Sequence, residues 1–188
     1  MKNKITFAFM LLLCTVFTNA QTLTTIFSDN FDATSETLNT NGWVQWGGAT
    51  ISLISSATSN SGTHCAQFGG KLNTSCYLRK TVSVTAGKTY IYSAYTQAAS
   101  GKGHTLGYNS TALGDHATST FTNSAWGQHS ITFKATASEQ LDIYVYQWST
   151  GTVWVDDVLL QQQQWNIAAS ANNVAYGSVS GTTGLTDP

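Results

Sequence analysis

Two adjacent aspartates interrupt an apolar segment near the end of the regular sequence pattern. Asp156 and Asp157 lie within residues 153–160, and successive residues of a β-strand point to opposite faces of a sheet. Both faces of this segment are otherwise apolar, so we expect at least one carboxylate in a low-dielectric environment, where an unpartnered charge is unfavourable. A hard cation such as calcium is one candidate partner. The alternative is that the carboxylates cap backbone N–H groups or face water.

Aromatic side chains close to this segment have the chemistry to bind sugars. Tyr144, Tyr146 and Trp148 alternate along one face of a predicted strand. The C–H faces of pyranose rings stack on aromatic planes, while sugar hydroxyls need polar partners. Trp46 and Trp148 are the strongest candidates because each lies beside a polar, glycine-containing turn. The alternative is that these aromatics form the core of a β-sandwich, as most do. Further candidates are the aromatics Trp43 and Tyr108 and the amides Gln97, Asn109, Gln128 and Gln147.

The composition favours an uncharged ligand and argues against catalysis. Charged residues make up 9% of the chain, and no basic stripe is present to neutralise the phosphates of a nucleic acid. Outside residues 1–20 the glutamates are Glu36 and Glu139, both in loop-like segments, whereas a glycosidase needs two carboxylates across a cleft. Neither a nucleophile elbow nor a phosphate-binding glycine loop occurs. We predict no enzymatic activity within this chain; a catalytic domain beyond residue 188 stays open.

The first 20 residues predict a cleavable secretion signal. Lys2 and Lys4 precede an apolar run at residues 5–17, which is too short to span a bilayer as a helix. Small or uncharged residues at 18–20 predict cleavage after Ala20. We therefore expect a secreted or cell-surface protein, and no other apolar run is long enough to span a membrane.

A single pair of cysteines remains after the predicted signal. In an oxidising compartment, Cys65 and Cys76 predict a disulfide that joins two antiparallel strand ends. Two buried free thiols are the alternative.

Alternation of apolar and polar residues predicts an all-β fold. Short strands separated by turn signals indicate a two-sheet antiparallel β-sandwich of the jelly-roll type over residues 21–160, expected to be monomeric. Residues 99–121 are polar and glycine-rich and predict mainly loop. Four glutamines at 161–164 predict a linker, and residues 165–188 the start of a second β module too short to form a core alone. The clearest strands are predicted at 81–85, 89–95, 130–135, 141–148 and 153–160.

Several short motifs follow one another in a characteristic order. They are DNFD at 29–32, GW at 42–43, NSGTHCA at 60–66, VTAGKTY at 84–90, AWG at 125–127 and VWVDDV at 153–158. In this order they resemble the jelly-roll carbohydrate-binding modules of the CenC type over residues 29–160, although the first motif departs from the commoner Gly-x-Phe-Glu form. The tail from Trp165 resembles the opening of a bacterial internalin-B or immunoglobulin-like repeat.

The resemblance implies a metal site and a function. In such modules an N-terminal acid and the closing-strand aspartate meet at a structural calcium, which here implies Asp32 and Asp156 as ligands, with carbonyls near Asp29, Ser61 and Gly62. The implied function is that of a secreted, non-catalytic module that anchors a larger protein to a polysaccharide. The alternative is a structural or adhesive spacer of a surface protein, with no sugar ligand. Exposure of three or more aromatics on one patch would favour the sugar-binding function.

Overall fold

The computed structural model describes residues 18–32, 42–47, 50–55, 59–70, 76–99, 102–148 and 150–168, and the helix and strand structure in these ranges is entirely β. Most of the predicted signal and all residues after 168 lie outside them. No helix in the described ranges could cross a membrane. The strands are β1 (Thr18–Asp29), β2 (Trp43–Gly47), β3 (Thr50–Ser55), β4 (His64–Gly70), β5 (Cys76–Val84), β6 (Thr89–Ala98), β7 (His104–Ser110), β8 (Gly114–Ala117), β9 (Gly127–Lys134), β10 (Glu139–Gln147) and β11 (Gly151–Ala168).

The strands form two antiparallel sheets. The six-stranded sheet has the order β3-β4-β11-β6-β9, and β1 pairs with β11 as its sixth strand. The five-stranded sheet has the order β2-β5-β10-β7-β8. This arrangement confirms the predicted all-β sandwich. Residues 104–110 and 114–117, which sequence analysis placed in a loop, instead form β7 and β8 of the second sheet.

The core lies between the two sheets, and β10 shows how its side chains are sorted. Leu141, Ile143 and Val145 are buried in the core. Alternation along a strand places the side chains between them on the opposite, outer face of the five-stranded sheet. The buried Tyr92 hydroxyl, from the other sheet, donates a hydrogen bond to the Tyr144 carbonyl at 3.2 Å. This hydrogen bond joins the two sheets across the core.

The predicted linker at 161–164 is wrong, because these glutamines belong to β11. They pair with Thr22–Thr25 of β1, and Gln161–Gln163 also pair with Thr89–Ile91 of β6. Trp165 continues the same strand opposite Gln21. Backbone groups make these ladders, so a polar tract can occupy a strand when its neighbours supply the pairing. Residues 165–168 are therefore part of the sandwich, while the rest of the predicted second module lies outside the described residues.

The predicted disulfide is also absent, since Cys65 and Cys76 are separate buried thiols. Cys65 lies on β4 of the six-stranded sheet, whereas Cys76 lies on β5 of the other sheet, paired with Gly47 and Gln147. The two strand ends do not pair with each other, because β4 and β5 belong to different sheets. Burial raises the pKa of the Cys65 thiol to about 11, and the nearby Asp156 carboxylate adds to the shift.

Candidate functional site

A row of aromatic rings crosses the outer face of the five-stranded sheet. Tyr77 of β5 pairs with Trp46 of β2 on one side and with Tyr146 of β10 on the other, which places the three rings on one face. The Tyr77 centroid lies 5.4 Å from that of Trp46 and 4.5 Å from that of Tyr146, and Trp148 follows 5.6 Å beyond Tyr146. Trp46 is 58% exposed and Trp148 is 41% exposed. We call these four residues the aromatic row.

A hollow of about 130 Å³ adjoins the Trp46 end of the row. Its polar side chains share the outer face because they oppose one another in the strand register. Asp142 pairs with Asn109, and Asn109 in turn pairs with Asp115. The residues that line the hollow are Trp46, Tyr77, Arg79, Asn109, Asp115, Asp142 and Tyr144.

Tyr144 forms the floor of the hollow and is only 4% exposed. Its ring crosses β7 at Gly107, where an added Cβ would lie 2.4 Å from the ring carbon Cζ. The hydroxyl donates to Asp115 Oδ1 at 2.6 Å and lies 3.3 Å from the His116 carbonyl oxygen. Burial, reinforced by this bond to Asp115, raises the pKa of Tyr144, so the phenol remains a protonated donor.

The polar groups of the hollow differ in how far they are already bonded. Arg79 Nη1 donates to Asp142 Oδ2 at 2.7 Å, and the Thr81 hydroxyl donates to Asp142 Oδ1 at 2.6 Å. By contrast, Asp115 Oδ2 accepts no hydrogen bond from any described residue. The side-chain amide of Asn109 likewise forms none with the described residues. The hollow therefore presents a carboxylate oxygen and an amide that can bond to a ligand.

The predicted metal ligands act as hydrogen-bond acceptors for one loop. Asp156 Oδ2 accepts the backbone N–H groups of Asn60 and Ser61, at 2.8 and 3.1 Å. Asp157 accepts the Asn60 side-chain amide at 2.8 Å and the Ser61 hydroxyl at 2.7 Å. The two carboxylates were expected on opposite faces. They meet the same loop because Asp157 has a φ of 46° and the β6–β11 register shifts between Asp156 and Leu159.

Asp32 binds the far end of that loop. Its Oδ1 accepts the N–H groups of Thr63 and His64 at 2.6 and 3.0 Å, and these bonds lower its pKa. Its carboxyl group occupies the space that a Cβ on Gly62 would need. These ligands are all oxygen, as calcium requires, but no group of three or more His, Cys, Asp or Glu side chains in the described ranges is arranged to hold a metal. Burial raises the pKa of Asp156 to about 6.

Solved structures with a similar fold include carbohydrate-binding modules. The CBM22-1 xylan-binding domain of Paenibacillus barcinonensis Xyn10C is similar with a TM-score of 0.58 at 13% identity, over 81% of this chain and 99% of that one. The chain has the jelly-roll fold of carbohydrate-binding modules. No protein-family model and no curated protein matches the sequence.

Two further carbohydrate-binding jelly rolls are similar. The C-terminal family 22 module of Clostridium thermocellum Xyn10B has a TM-score of 0.51 at 14% identity, over 72% of this chain and 91% of that one. TmCBM61, solved with β-1,4-galactotriose, has a TM-score of 0.50 at 16% identity, over 65% of this chain and 92% of that one. None of these three is an internalin or immunoglobulin-like repeat, so that interpretation of the tail finds no support among them.

Three of the residues predicted to contact a ligand are buried in the jelly roll. Trp43 is three positions from Trp46 and so faces the core, where its Nε1 donates to Asp29 Oδ2 at 2.8 Å. Tyr108 packs on Phe133 with centroids 4.2 Å apart. Gln147 lies on the core-facing side of β10, as Leu141, Ile143 and Val145 do, and is fully buried. Burial removes these three side chains from the candidate surface.

Of the other candidates, Gln97 and Gln128 lie on β6 and β9 of the six-stranded sheet, away from the hollow, whereas the remaining ones share the outer face of the five-stranded sheet. Trp46, Tyr146 and Trp148 belong to the aromatic row, Tyr144 lies beneath the hollow, and Asn109 lines it. Sequence reasoning missed the lining residues Tyr77, Arg79, Asp115 and Asp142. Alternation alone would have placed Tyr77 and Arg79 on one face of a strand, but only the register of β5 against β10 shows that this face is the aromatic one.

Proposed function

We propose that this chain is a secreted, non-catalytic carbohydrate-binding module that holds a larger protein on a polysaccharide. The observation that supports the proposal is the aromatic row, with Trp46 and Trp148 exposed at its two ends and the polar hollow beside it. Secretion rests on residues 1–20 of the sequence.

The chemistry of this face suits a neutral polymer. Large exposed aromatic patches mark binding surfaces, because exposed indole rings gain free energy when a ligand covers them. Stacked rings supply contact area, while Asp115 and Asn109 offer partners for hydroxyls. Micromolar to millimolar dissociation constants correspond to about 4 to 8 kcal/mol. Two or three stacked rings and a few hydrogen bonds are sufficient for that range.

The similar structures support the same class of ligand. One is named as a xylan-binding domain, and another was solved with a galactotriose. The fold itself does not determine function, so the arrangement of side chains on the face has the greater weight.

A structural spacer without a sugar ligand is the competing function. It predicts aromatics that are all packed in the core. Four aromatic side chains instead form one surface row, and this favours sugar binding over the spacer.

Affinity electrophoresis against soluble β-glucan, xylan, mannan and galactan tests the proposal. We expect the wild type to be retarded by at least one of them, and Trp46→Ala and Trp148→Ala to lose most of that retardation. Trp165→Ala is the matched control, because Trp165 is 46% exposed but lies on β11 of the other sheet. Migration of the wild type unchanged by every glycan, or equal losses in all three variants, would argue against the proposal.

We also propose a structural calcium ion at the loop that Asp32 and Asp156 hold. The support is that Asp156 is fully buried and bonded to backbone N–H groups rather than to Lys or Arg, so its charge is only partly compensated. A cation would add charge compensation with the oxygen ligands that calcium prefers. Its role would be to fix the loop, and sugar binding does not depend on it.

A further inference from the structure

The balance of charge in the hollow is negative. Arg79 and Asp142 neutralise one another in their 2.7 Å ion pair. Among the described residues Asp115 has no cationic partner, since its hydrogen-bond donor is the neutral phenol of Tyr144. An exposed carboxylate therefore stands at the rim without compensation.

In the part of the chain that the structure describes, three other basic side chains near this sheet are directed away from the hollow. Lys80, next to Arg79 on β5, points to the opposite face, where its Nζ lies 4.6 Å from the centroid of Phe27. His116, next to Asp115, stacks on Tyr108 on the core side of the sheet. Lys102 lies beside Gly151, where an added Cβ would be 2.6 Å from Lys102 Cγ.

Asp115 is also fixed in the orientation that a ligand would meet. The bond from Tyr144 occupies Oδ1 and leaves Oδ2 as an acceptor at the rim. A sugar hydroxyl can donate to this oxygen in a charge-assisted hydrogen bond. The carboxylate of a uronic acid has no proton to donate at neutral pH, and its charge would be repelled by that of Asp115.

We infer that the hollow selects a neutral sugar unit and excludes a carboxylate-bearing one, with Asp115 as the specificity-determining residue. The inference rests on the proposed function and assigns a substrate class to the same face. Among the described lining residues Arg79 is the one cation, and its ion pair with Asp142 offsets its attraction for acidic glycans.

Pairs of polysaccharides that differ only in their carboxylates test the inference. Suitable pairs are glucuronoxylan before and after carboxyl reduction, and polygalacturonate before and after full methyl esterification, both at pH 7 and 50 mM NaCl. For the pair that the wild type binds, we expect about fivefold tighter binding to the neutral member, in line with the strength of partly exposed charge interactions. Addition of 0.5 M NaCl should reduce that ratio through screening.

Two variants distinguish a local effect of the Asp115 charge from a general effect of the protein's net charge. Asp115→Asn keeps the shape of the side chain and removes its charge, and we expect the ratio to fall to about twofold or less. Thr132→Lys changes the net charge by the same amount on an exposed site of β9 in the other sheet, and should keep the wild-type ratio. Thermal unfolding checks that both variants are folded.

The outcomes distinguish this inference from the proposed function. If the wild type binds the acidic member as well as the neutral one, or if Thr132→Lys matches Asp115→Asn, the selectivity inference is overturned while sugar binding stands. If no member of any pair is bound, and the neutral glycan panel also fails, both proposals fail together.

Discussion

Tyr77 lies directly opposite Tyr146 in the pairing of β5 with β10, and their rings stack with centroids 4.5 Å apart and planes 30° apart. This pair connects the two exposed tryptophans of the aromatic row. We predict that Tyr77→Ala weakens glycan binding by about 1 to 2 kcal/mol, or roughly tenfold, because it interrupts the row at its centre. Titration calorimetry with the best glycan measures the change. Tyr77→Phe should bind within about threefold of the wild type, and a loss as large as that of the alanine variant would assign the effect to the hydroxyl instead.

Gly107 makes room for the floor of the hollow, so its substitution should affect both stability and binding. An added Cβ would lie 2.4 Å from Tyr144 Cζ and 2.5 Å from the backbone oxygen of His116. We predict that Gly107→Ala lowers the free energy of unfolding by about 1 to 3 kcal/mol and displaces the Tyr144–Asp115 hydrogen bond. Urea unfolding measures the first effect. Gly69→Ala is the control, because the added Cβ would lie 3.7 Å from the nearest described atom, the Gly151 carbonyl oxygen. Equal destabilisation of the two variants would contradict the packing explanation.

Alternation along β10 was the most informative sequence signal. It placed Tyr144, Tyr146 and Trp148 on one face, and the same parity also places Gln147 inside, where a ligand cannot reach it. The sequence therefore already contained evidence against Gln147, as did the spacing of three residues between Trp43 and Trp46.

What could not be predicted depends on pairing between distant segments. Asp115 lies in a polar, glycine-rich stretch whose composition indicates loop, and only the ladder of β8 on β7 brings it to the hollow. The positive φ of Asp157 turns its side chain towards the loop that Asp156 also contacts, whereas strand alternation predicts that the two side chains point to opposite faces. Gln161–Gln164 are in a strand because β1 and β6 supply partners from residues 22–25 and 89–91. Local composition carries no information on any of these relationships.

Two buried groups should give the protein opposing pH dependences. Burial raises the pKa of Asp156 from 3.8 to about 6, so the folded state binds the carboxyl proton more tightly than the unfolded state does. The stabilisation from this protonated carboxyl is therefore complete below pH 4 and is lost as the pH rises through 6. Burial lowers the pKa of His104 from 6.5 to about 4, with a contribution from His129. The pH dependence of His104 is the reverse: the stabilisation from the neutral, buried imidazole is complete above pH 6.5 and is lost as the pH falls towards 4.

We therefore predict a shallow pH profile for the wild type between pH 4 and 6, and steeper profiles of opposite sign when either group is removed. Asp156→Asn should become more stable as the pH rises through this range, because the effect of His104 is then no longer opposed by that of Asp156. His104→Gln should become less stable over the same range, relative to its own value at pH 4. Urea unfolding at pH 4, 5 and 6 in metal-free buffer, so that no bound cation lowers the pKa of Asp156, measures the slopes. Parallel profiles for all three proteins would show that neither group titrates differently in the folded state.

Removal of calcium separates the two explanations for the loop at residues 59–64. If an ion binds between Asp32 and Asp156, EDTA should lower the melting temperature and excess Ca²⁺ should restore it, with about 2.7 kcal/mol of stabilisation at a free concentration 100 times the dissociation constant. Mg²⁺ should restore less, because it requires a tighter octahedral set of ligands. Asp32→Asn should abolish the response to Ca²⁺. A melting temperature unaffected by EDTA would mean that the hydrogen bonds from Asn60, Ser61 and Thr63 hold the loop without a metal.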